Sequence, residues 1–400
     1  MASDAAMQSK KKAVDFTIDE VFFSRTDDRG VILTCNDVFK RVAEFDWSEL
    51  IGAPHKVVRH PEMPKSVFHL MWARLKNDEP VIAYVKNKTK CGKPYWVIAF
   101  AAPMGDGGYI SFRVKPVSEI FEQIKPLYDA LLKEEAEIEW SAENHGHSEL
   151  LERLAQIGYP SYEAFASQAA VAEVTERARL RKQICDPILS NLSGVPEKVQ
   201  LLSRKVAALN DVFQRIRTTP VNLGIMANRI ERSGGPISAI SGIYSSMSTE
   251  IGDWLDGFLR NSELAFERME KQSSDCLTMI ATAGVQEEML EAYGKEDLAE
   301  CGYNNFDEEV RLKNRSRAST RAARRATSAI CNDAIELQNA VHVLKRHVMS
   351  LSSTRVLCEI ESAKLPTRSE SLEGVVAQLA SFQDEIEDLH KEIESATQSI

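Results

Sequence analysis

The chain has 400 residues, of which 44% are hydrophobic and 27% charged, and its formal net charge is −10. This length supports roughly two or three domains with cores of their own, and the mildly acidic balance gives no overall attraction to nucleic acid or to anionic membranes. The longest apolar run, around 96–104, is far shorter than the roughly 20 residues of a membrane-spanning helix, so no membrane span is expected.

Two further features favour a cytoplasmic protein. Residues 1–12 are small, polar and then basic, without the apolar core of a secretory signal, and we expect a disordered tail over 1–15. The seven cysteines are scattered along the chain and include no CxxC pair, which is typical of reduced thiols.

The first predicted elements form a hairpin and a capped helix. Apolar runs at 21–24 and 31–35 flank the turn sequence at 27–30, a pattern typical of a β-hairpin. Asn36 and Asp37 then occupy the position of a helix N-cap, ahead of an apolar helical repeat.

A second helix and three strands complete this region. Apolar residues at helical spacing predict the helix at 64–75, and strand-like runs follow at 81–88, 95–102 and 109–114. Two strands, short helices and three antiparallel strands predict an α+β domain at 16–118 with a five-stranded antiparallel sheet.

From about residue 117 onward, helical periodicity replaces the strand signals. Apolar residues step alternately by 3 and 4 along 199–216 and 237–258, and again along 334–351 and 372–393. This spacing is typical of the seam of a coiled coil or helical bundle.

The second helical stretch repeats the first at a fixed offset of 135 residues. Leu202 maps to Leu337 and Leu209 to Leu344, and the breaks between helices also superpose. We therefore predict two duplicated helical hairpins that form a four-helix bundle or coiled coil.

These patterns divide the chain into six parts. They are a tail at 1–15, the α+β domain at 16–118, a helical linker at 119–194, the first hairpin at 195–260, a helical connector at 261–326 and the second hairpin at 327–400. The connector carries seven basic residues between Arg311 and Arg325. We interpret them as a solvated helix face that pairs with Glu308 and Glu309, and therefore expect no nucleic-acid partner. A nucleic-acid-binding regulator is the weaker alternative.

The most informative motif of the α+β domain lies at 52–64. It combines prolines, histidines and an arginine ahead of a helix that carries Trp72. Asn87 and Trp96 follow on two strands.

Together these residues resemble the PAS domain of the Aer type, from the bacterial aerotaxis-receptor family. The matching motifs are Asn36-Asp37, Gly52-x-Pro54-His55, Val58-Arg59-His60-Pro61-x-Met63-Pro64, Met71-Trp72, Val85-Lys86-Asn87 and Gly92-x-x-Tyr95-Trp96-Val97. The likeness covers about 16–118 and departs from the family at Glu62, where Asp is usual.

The resemblance implies a PAS sensor that binds FAD noncovalently. The residues it assigns to the cofactor are Asn36, Arg59, His60, Glu62, Trp72, Asn87 and Trp96. An isoalloxazine needs a concave site with aromatic walls and a few directed polar groups, which these residue types supply. We expect a redox sensor for oxygen or energy taxis that transforms no external substrate and is not an enzyme.

The helical hairpins faintly resemble the antiparallel hairpin of a bacterial chemoreceptor signalling domain. Residues 222–231 are similar to the start of that hairpin's tip, whereas the rest of the tip sequence and the methylation helices are missing. The resemblance implies chemotaxis or other signalling partners, and either a homo-oligomer or one chain that imitates a receptor dimer.

Two other functions stay open for the PAS domain. A PAS cavity of similar shape can hold haem, with His55, His60 or His69 as the axial ligand. Alternatively, the domain binds nothing and serves as a scaffold or dimerisation module.

Overall fold

A computed structural model describes residues 14, 16–105, 107–138, 140–143, 145–216, 219–230, 235–293, 305–364 and 370–398. The chain divides into two compact units, one made of Met1–Ser193 with Ser274–Ala326 and the other of Gly194–Ser273 with Thr327–Ile400. The tail predicted at 1–15 lies outside the described residues except for Val14. Along the described ranges, no helix has the length and apolarity to cross a membrane.

The first unit contains a five-stranded antiparallel sheet, as predicted. Its strands are β1 Phe22–Thr26, β2 Ile32–Cys35, β3 Val81–Lys88, β4 Pro94–Pro103 and β5 Tyr109–Val114, in the order β2-β1-β5-β4-β3. The predicted hairpin of β1 and β2 is confirmed. The Asp27 carboxylate closes its turn by accepting hydrogen bonds from the backbone N–H groups of Arg29 and Val31.

Short helices connect β2 to β3 on one side of the sheet. They are α1 Asp37–Ala43, α2 Trp47–Leu50, a 3₁₀ turn at His55–Val58 and α3 Lys65–Lys76. Asn36 is the N-cap of α1, because its Oδ1 accepts a hydrogen bond from the Phe39 N–H.

Four further helices follow β5 in the same unit. They are α4 Glu119–Glu137, α5 Ser148–Gln156, α6 Tyr162–Arg181 and α7 Pro187–Leu192. The sequence predicted a helical linker here, and α4 and α6 pack against the sheet. The Tyr162 hydroxyl accepts from the Ile82 N–H at 3.0 Å and donates to the Ile82 carbonyl at 2.6 Å, which blocks part of the edge strand β3.

A buried carboxylate joins α6 to the end of the sheet. Glu173 is only 1% exposed and accepts hydrogen bonds from the Val117 N–H at 2.6 Å, the Ser118 hydroxyl at 2.7 Å and the Tyr84 hydroxyl at 2.9 Å. Burial raises the pKa of Glu173 above its ordinary value, although these donors act in the opposite direction. The carboxylate therefore fixes the chain where β5 passes into α4.

Replacing Glu173 separates the roles of its charge and its hydrogen bonds. We expect Glu173→Ala to lower the free energy of unfolding by about 2–4 kcal/mol, because it leaves buried donors without an acceptor. Glu173→Gln keeps an acceptor oxygen and should cost less than half as much. Urea unfolding followed by circular dichroism measures both, and equal losses in the two variants would contradict this account.

The remaining helices are α8 Val195–Ile216, α9 Thr219–Ile230, α10 Pro236–Tyr293, α11 Asn305–Ala363 and α12 Glu370–Gln398. The domain boundaries predicted at 260/261 and 326/327 fall inside the continuous helices α10 and α11. The division between the two compact units coincides with 326/327 in α11 and falls at 273/274 in α10. Heptad spacing shows which helix face is buried, but it does not show where the helix stops.

Within the second unit, the helices pair in antiparallel order. Arg215 of α8 pairs with Glu385 of α12 at 2.7 Å, and Lys205 pairs with Glu392 at 2.6 Å. In the same way α10 runs against α11, where Arg268 pairs with Asp333 at 2.8 Å.

The duplication predicted from the sequence stays a prediction, because the observed helix pairs join the two predicted hairpins and do not lie within them. The 135-residue offset places α8 on α11 and α10 on α12. Residues 215 and 385, which form an ion pair, then correspond to residues 350 and 250. The observed contact between Trp254 and His347 differs from this antiparallel register by one residue. The equivalent core leucines, Leu209 and Leu344, are both fully buried. These two repeated positions are therefore alike in burial.

Equivalent core positions should contribute equally to stability. We expect Leu209→Ala and Leu344→Ala each to lower the free energy of unfolding by about 2–5 kcal/mol, because each leaves a cavity in the bundle. Leu264→Ala, at a position that is 57% exposed, is the control and should change it by less than about 0.5 kcal/mol. Urea unfolding tests this, and a large loss at only one of the two leucines would contradict equivalence.

Candidate functional site

A cavity of about 380 Å³ lies between the sheet and the helical segment that connects β2 to β3. Ala99 and Ala101 of β4 and Val85 of β3 form its floor, and Phe68 and Met71 of α3 form part of its roof. The small floor side chains leave space above the sheet, and the volume lies within the usual range for small-molecule sites.

Trp72 of α3 forms one end of this cavity. Its ring meets Tyr109 edge-on at 5.4 Å between ring centroids. A Cβ atom on Gly30 would stand 2.8 Å from the Trp72 ring, and Gly30 has a φ of +78°, which other residues rarely adopt. The hairpin turn therefore needs glycine at this position, and the indole lies directly against it.

A buried guanidinium stands at the inner end of the cavity. Arg113 of β5 is 4% exposed, and its Nη2 donates to the Ser24 hydroxyl at 2.8 Å and to His55 Nε2 at 2.5 Å. Its Nη1 has no hydrogen-bond acceptor among the described residues, and no carboxylate pairs with it there. Burial lowers the pKa of Arg113 to about 10, so the side chain is still cationic at neutral pH.

His55 is held in the neutral form beside this cation. Complete burial, and then the charge of Arg113, lower the pKa of His55 well below its ordinary value. The neutral imidazole accepts the Arg113 hydrogen bond through Nε2. The positive charge of the pair therefore belongs to Arg113.

Two polar groups from other elements also line the cavity. Asn87 of β3 is 3% exposed, and its Nδ2 makes no close hydrogen bond in the described part of the chain, although the Tyr95 hydroxyl is a neighbour of this side chain. The Arg59 guanidinium lies 3.9 Å above the Phe68 ring and donates to the Met63 carbonyl at 3.2 Å. Burial lowers the pKa of Arg59, and the charge of Glu135 partly offsets that effect.

Of the seven residues predicted to bind the cofactor, Arg59, Trp72 and Asn87 line the cavity. The other four lie outside its lining. The Asn36 amide group is buried in the α1 cap and bonds the Phe23 N–H and the Val21 carbonyl. Its conspicuous position in the sequence therefore has a structural reason.

His60, Glu62 and Trp96 also point elsewhere. His60 Nδ1 accepts from the Glu62 N–H at 3.1 Å, and the exposed Glu62 carboxylate pairs with Lys86 at 2.6 Å. Trp96 packs against Phe121 of α4, with 5.4 Å between ring centroids. Adjacent strand residues face opposite sides of the sheet, which places Trp96 beneath it.

Sequence reasoning missed the Arg113 side chain as part of the site. The strand Tyr109–Val114 was predicted correctly, but its arginine was treated as part of an ordinary strand. The sequence offered one signal, a charged residue between the apolar Phe112 and Val114. An arginine in a buried strand needs a partner, so its presence there indicates a polar site inside the domain.

Comparisons with known proteins support the fold of this domain. Residues 32–112 match the PAS fold family. Over 117 residues the chain is 44% identical to the aerotaxis receptor of Escherichia coli (strain K12). This stretch is 28% of the present chain and 23% of the receptor, so the similarity spans about a quarter of each protein. The sequence-based assignment of an Aer-type PAS domain is thereby confirmed.

Several solved structures are also similar to the chain. The LOV domain of a blue-light-activated histidine kinase from Erythrobacter litoralis EL346 is 13% identical, with a TM-score of 0.21, over 23% of this chain and 90% of that one. A PAS domain from Colwellia psychrerythraea is 15% identical, with a TM-score of 0.22, over 29% of this chain and 97% of that one.

The state of His55 is directly measurable. In the wild type we expect its imidazole to stay neutral through pH 6.5, and Arg113→Met should raise its pKa because a neighbouring positive charge is removed. Proton NMR titration of the His55 ring measures this, and Arg41→Met, on the surface of α1, is the control. A pKa that is unchanged in Arg113→Met would contradict the assigned contact.

The same shift predicts how His55 affects stability. The pKa of His55 is lower in the folded protein than in the unfolded chain, where it is about 6.5. The contribution of neutral His55 to the free energy of unfolding is therefore complete above about pH 6.5 and is lost as the pH falls toward the folded pKa.

Proposed function

We propose that the PAS domain binds FAD noncovalently in the cavity beside Arg113, and that the chain converts the redox state of this flavin into a signal for the helical bundle. The observation that carries the proposal is the buried donor Arg113 Nη1, which has no acceptor among the described residues, beside the Asn87 amide in a largely apolar cavity. Buried donors of this kind need acceptors, and an isoalloxazine offers apolar faces with a row of acceptors along one edge.

The residues divide the task of holding the ring. Asn87 donates to its polar edge, Trp72 closes one end of the cavity, and Phe68 and Met71 cover a face. When bound, the flavin supplies one- and two-electron redox chemistry. Arg113 favours the forms of the ligand that carry more negative charge, because its own charge is buried and has no carboxylate partner.

A line of contacts supports the relay. Arg113 lies on β5, and that strand ends just before Val117 and Ser118, whose backbone and hydroxyl groups are held by Glu173 of α6. A change of charge at the cavity therefore acts on a strand whose end is bonded to a buried carboxylate.

The same helix reaches α10. One turn after Glu173, the buried Arg177 side chain pairs with Glu288 of α10 at 2.9 Å. Arg315 of α11 also donates to the Pro103 carbonyl of β4 at 2.6 Å. Because α10 and α11 contribute residues to both units, a shift of either helix is passed on through a continuous backbone.

The similarity to an aerotaxis receptor supports a taxis or energy-sensing role, with chemotaxis or other signalling proteins as the partners of the bundle. The proposal involves no turnover of an external substrate. The basic residues between Arg311 and Arg325 fit a solvated and partly paired face, since Lys313 pairs with Glu309 and Arg315 bonds the PAS domain.

The geometry favours flavin over haem. Of the three candidate axial ligands, only His55 lines the inner cavity, and its Nε2 already accepts the Arg113 hydrogen bond. His60 Nδ1 accepts from the backbone of Glu62, and His69 Nδ1 lies 3.0 Å from His147 Nδ1.

The purified full chain provides the test. We expect two broad absorption bands in the near-ultraviolet and blue, and FAD on cofactor extraction. Asn87→Leu combined with Arg113→Met should reduce flavin content at least about tenfold, because both edge donors are lost. The control is Trp96→Phe, beneath the sheet, which should keep its flavin. A Soret band would show that the bound cofactor is haem and not flavin. A colourless wild-type protein would favour the alternative in which the PAS domain is a scaffold without a cofactor.

A further inference from the structure

A second cavity, of about 610 Å³, adjoins the first and opens on its outer side. The two share Arg29, Arg59, Phe68 and Trp72 as lining residues. We call the second cavity the outer groove. Its other lining residues are Asp28, Lys65, His69, Lys76 and Trp140.

The outer groove carries more cationic than anionic side chains. Neither Lys65 nor Lys76 has an ion-pair partner among the described residues, whereas Arg29 pairs with Asp27 at 3.0 Å and the charge of Glu135 acts on Arg59. Asp28 is the one carboxylate in the described lining. The nearby Glu135 uses its oxygens to accept the Lys65 and Ser66 N–H groups at 2.7 and 2.8 Å. The groove is therefore suited to an anion.

An aromatic wall faces these cations. Trp140, which follows α4, lies under the Lys65 ammonium at 5.7 Å and meets the His69 ring at 6.2 Å. Its Nε1 is buried and has no acceptor among the described residues. An indole face with a donor at its edge is typical of sites that stack a planar heterocyclic base.

We propose that the outer groove binds the nucleoside diphosphate portion of the flavin dinucleotide. This inference rests on the proposed function and deepens it, because the inner cavity then holds the ring and the outer groove holds the rest. Lys65, Lys76 and Arg59 contact the diphosphate oxygens, and Trp140 stacks on the adenine. Trp72 stands where the two cavities meet, so the linking chain passes beside it.

Trp140 lies outside residues 32–112, which match the PAS fold family. The groove is therefore completed by the segment between α4 and α5, which also places His147 against His69.

The test compares ligands that differ only in their tails. Riboflavin, FMN, FAD and ADP are titrated separately into flavin-depleted full-length protein, by fluorescence quenching or by calorimetry. We expect the wild type to bind FAD at least about tenfold more tightly than riboflavin. We expect Lys65→Ala with Lys76→Ala, and separately Trp140→Ala, to reduce FAD affinity about tenfold or more while leaving riboflavin affinity unchanged.

A matched control exists on α1. Lys40 lies 5.0 Å above the Trp47 ring, a similar lysine–indole pair, and neither residue lines either cavity. Lys40→Ala should bind every ligand as the wild type does. Circular dichroism of each variant checks that the fold is retained.

The outcomes separate the inference from the function on which it rests. Two results would contradict the proposed role of the groove and leave flavin binding intact. One is equal affinity of the wild type for riboflavin and FAD, and the other is an equal loss of affinity for both ligands in the groove variants. If the protein takes up no flavin but binds ADP, and the groove variants lower the affinity for ADP, the nucleotide site stands and the flavin proposal is contradicted. If neither riboflavin, FAD nor ADP binds, both proposals fall.

Discussion

The arrangement of the PAS domain depends on the burial of one positive charge. Arg113 lies inside the domain with a serine, a neutral histidine and an aromatic ring as neighbours, and no carboxylate pairs with it in the described structure. Burying an unpaired charge costs free energy, and buried groups of this kind cluster at functional sites. The charge also affects its surroundings. It helps to keep His55 neutral, and it lies in the same cavity as the Asn87 amide and the apolar floor.

Local chemistry made much of the fold predictable. The turn at 27–30 and the capping side chain of Asn36 each act within a few residues, so the sequence around them is sufficient to predict the hairpin and the start of α1. Asn36 also shows the limit of this reasoning. The amide that begins the helix already bonds the backbone of β1 and α1, and only the folded structure shows that it cannot also face a ligand.

Long-range contacts account for what sequence reasoning missed. The role of Glu173 depends on Val117 and Ser118, more than fifty residues away, and Trp140 meets α3 across a comparable separation. Strand alternation alone does not reveal whether a charged residue such as Arg113 faces solvent or an internal cavity, because both sides of this sheet are covered by helices. Helices α4 and α6 thus pack against the sheet of the first unit, where the sequence predicted a helical linker.

The 135-residue repeat of the apolar pattern has a consequence for how the molecule can evolve. In a symmetric dimer every substitution occurs twice. Here the repeated positions belong to one polypeptide, so Leu209 can change without Leu344. Each copy of the repeat is therefore free to acquire substitutions that the other lacks.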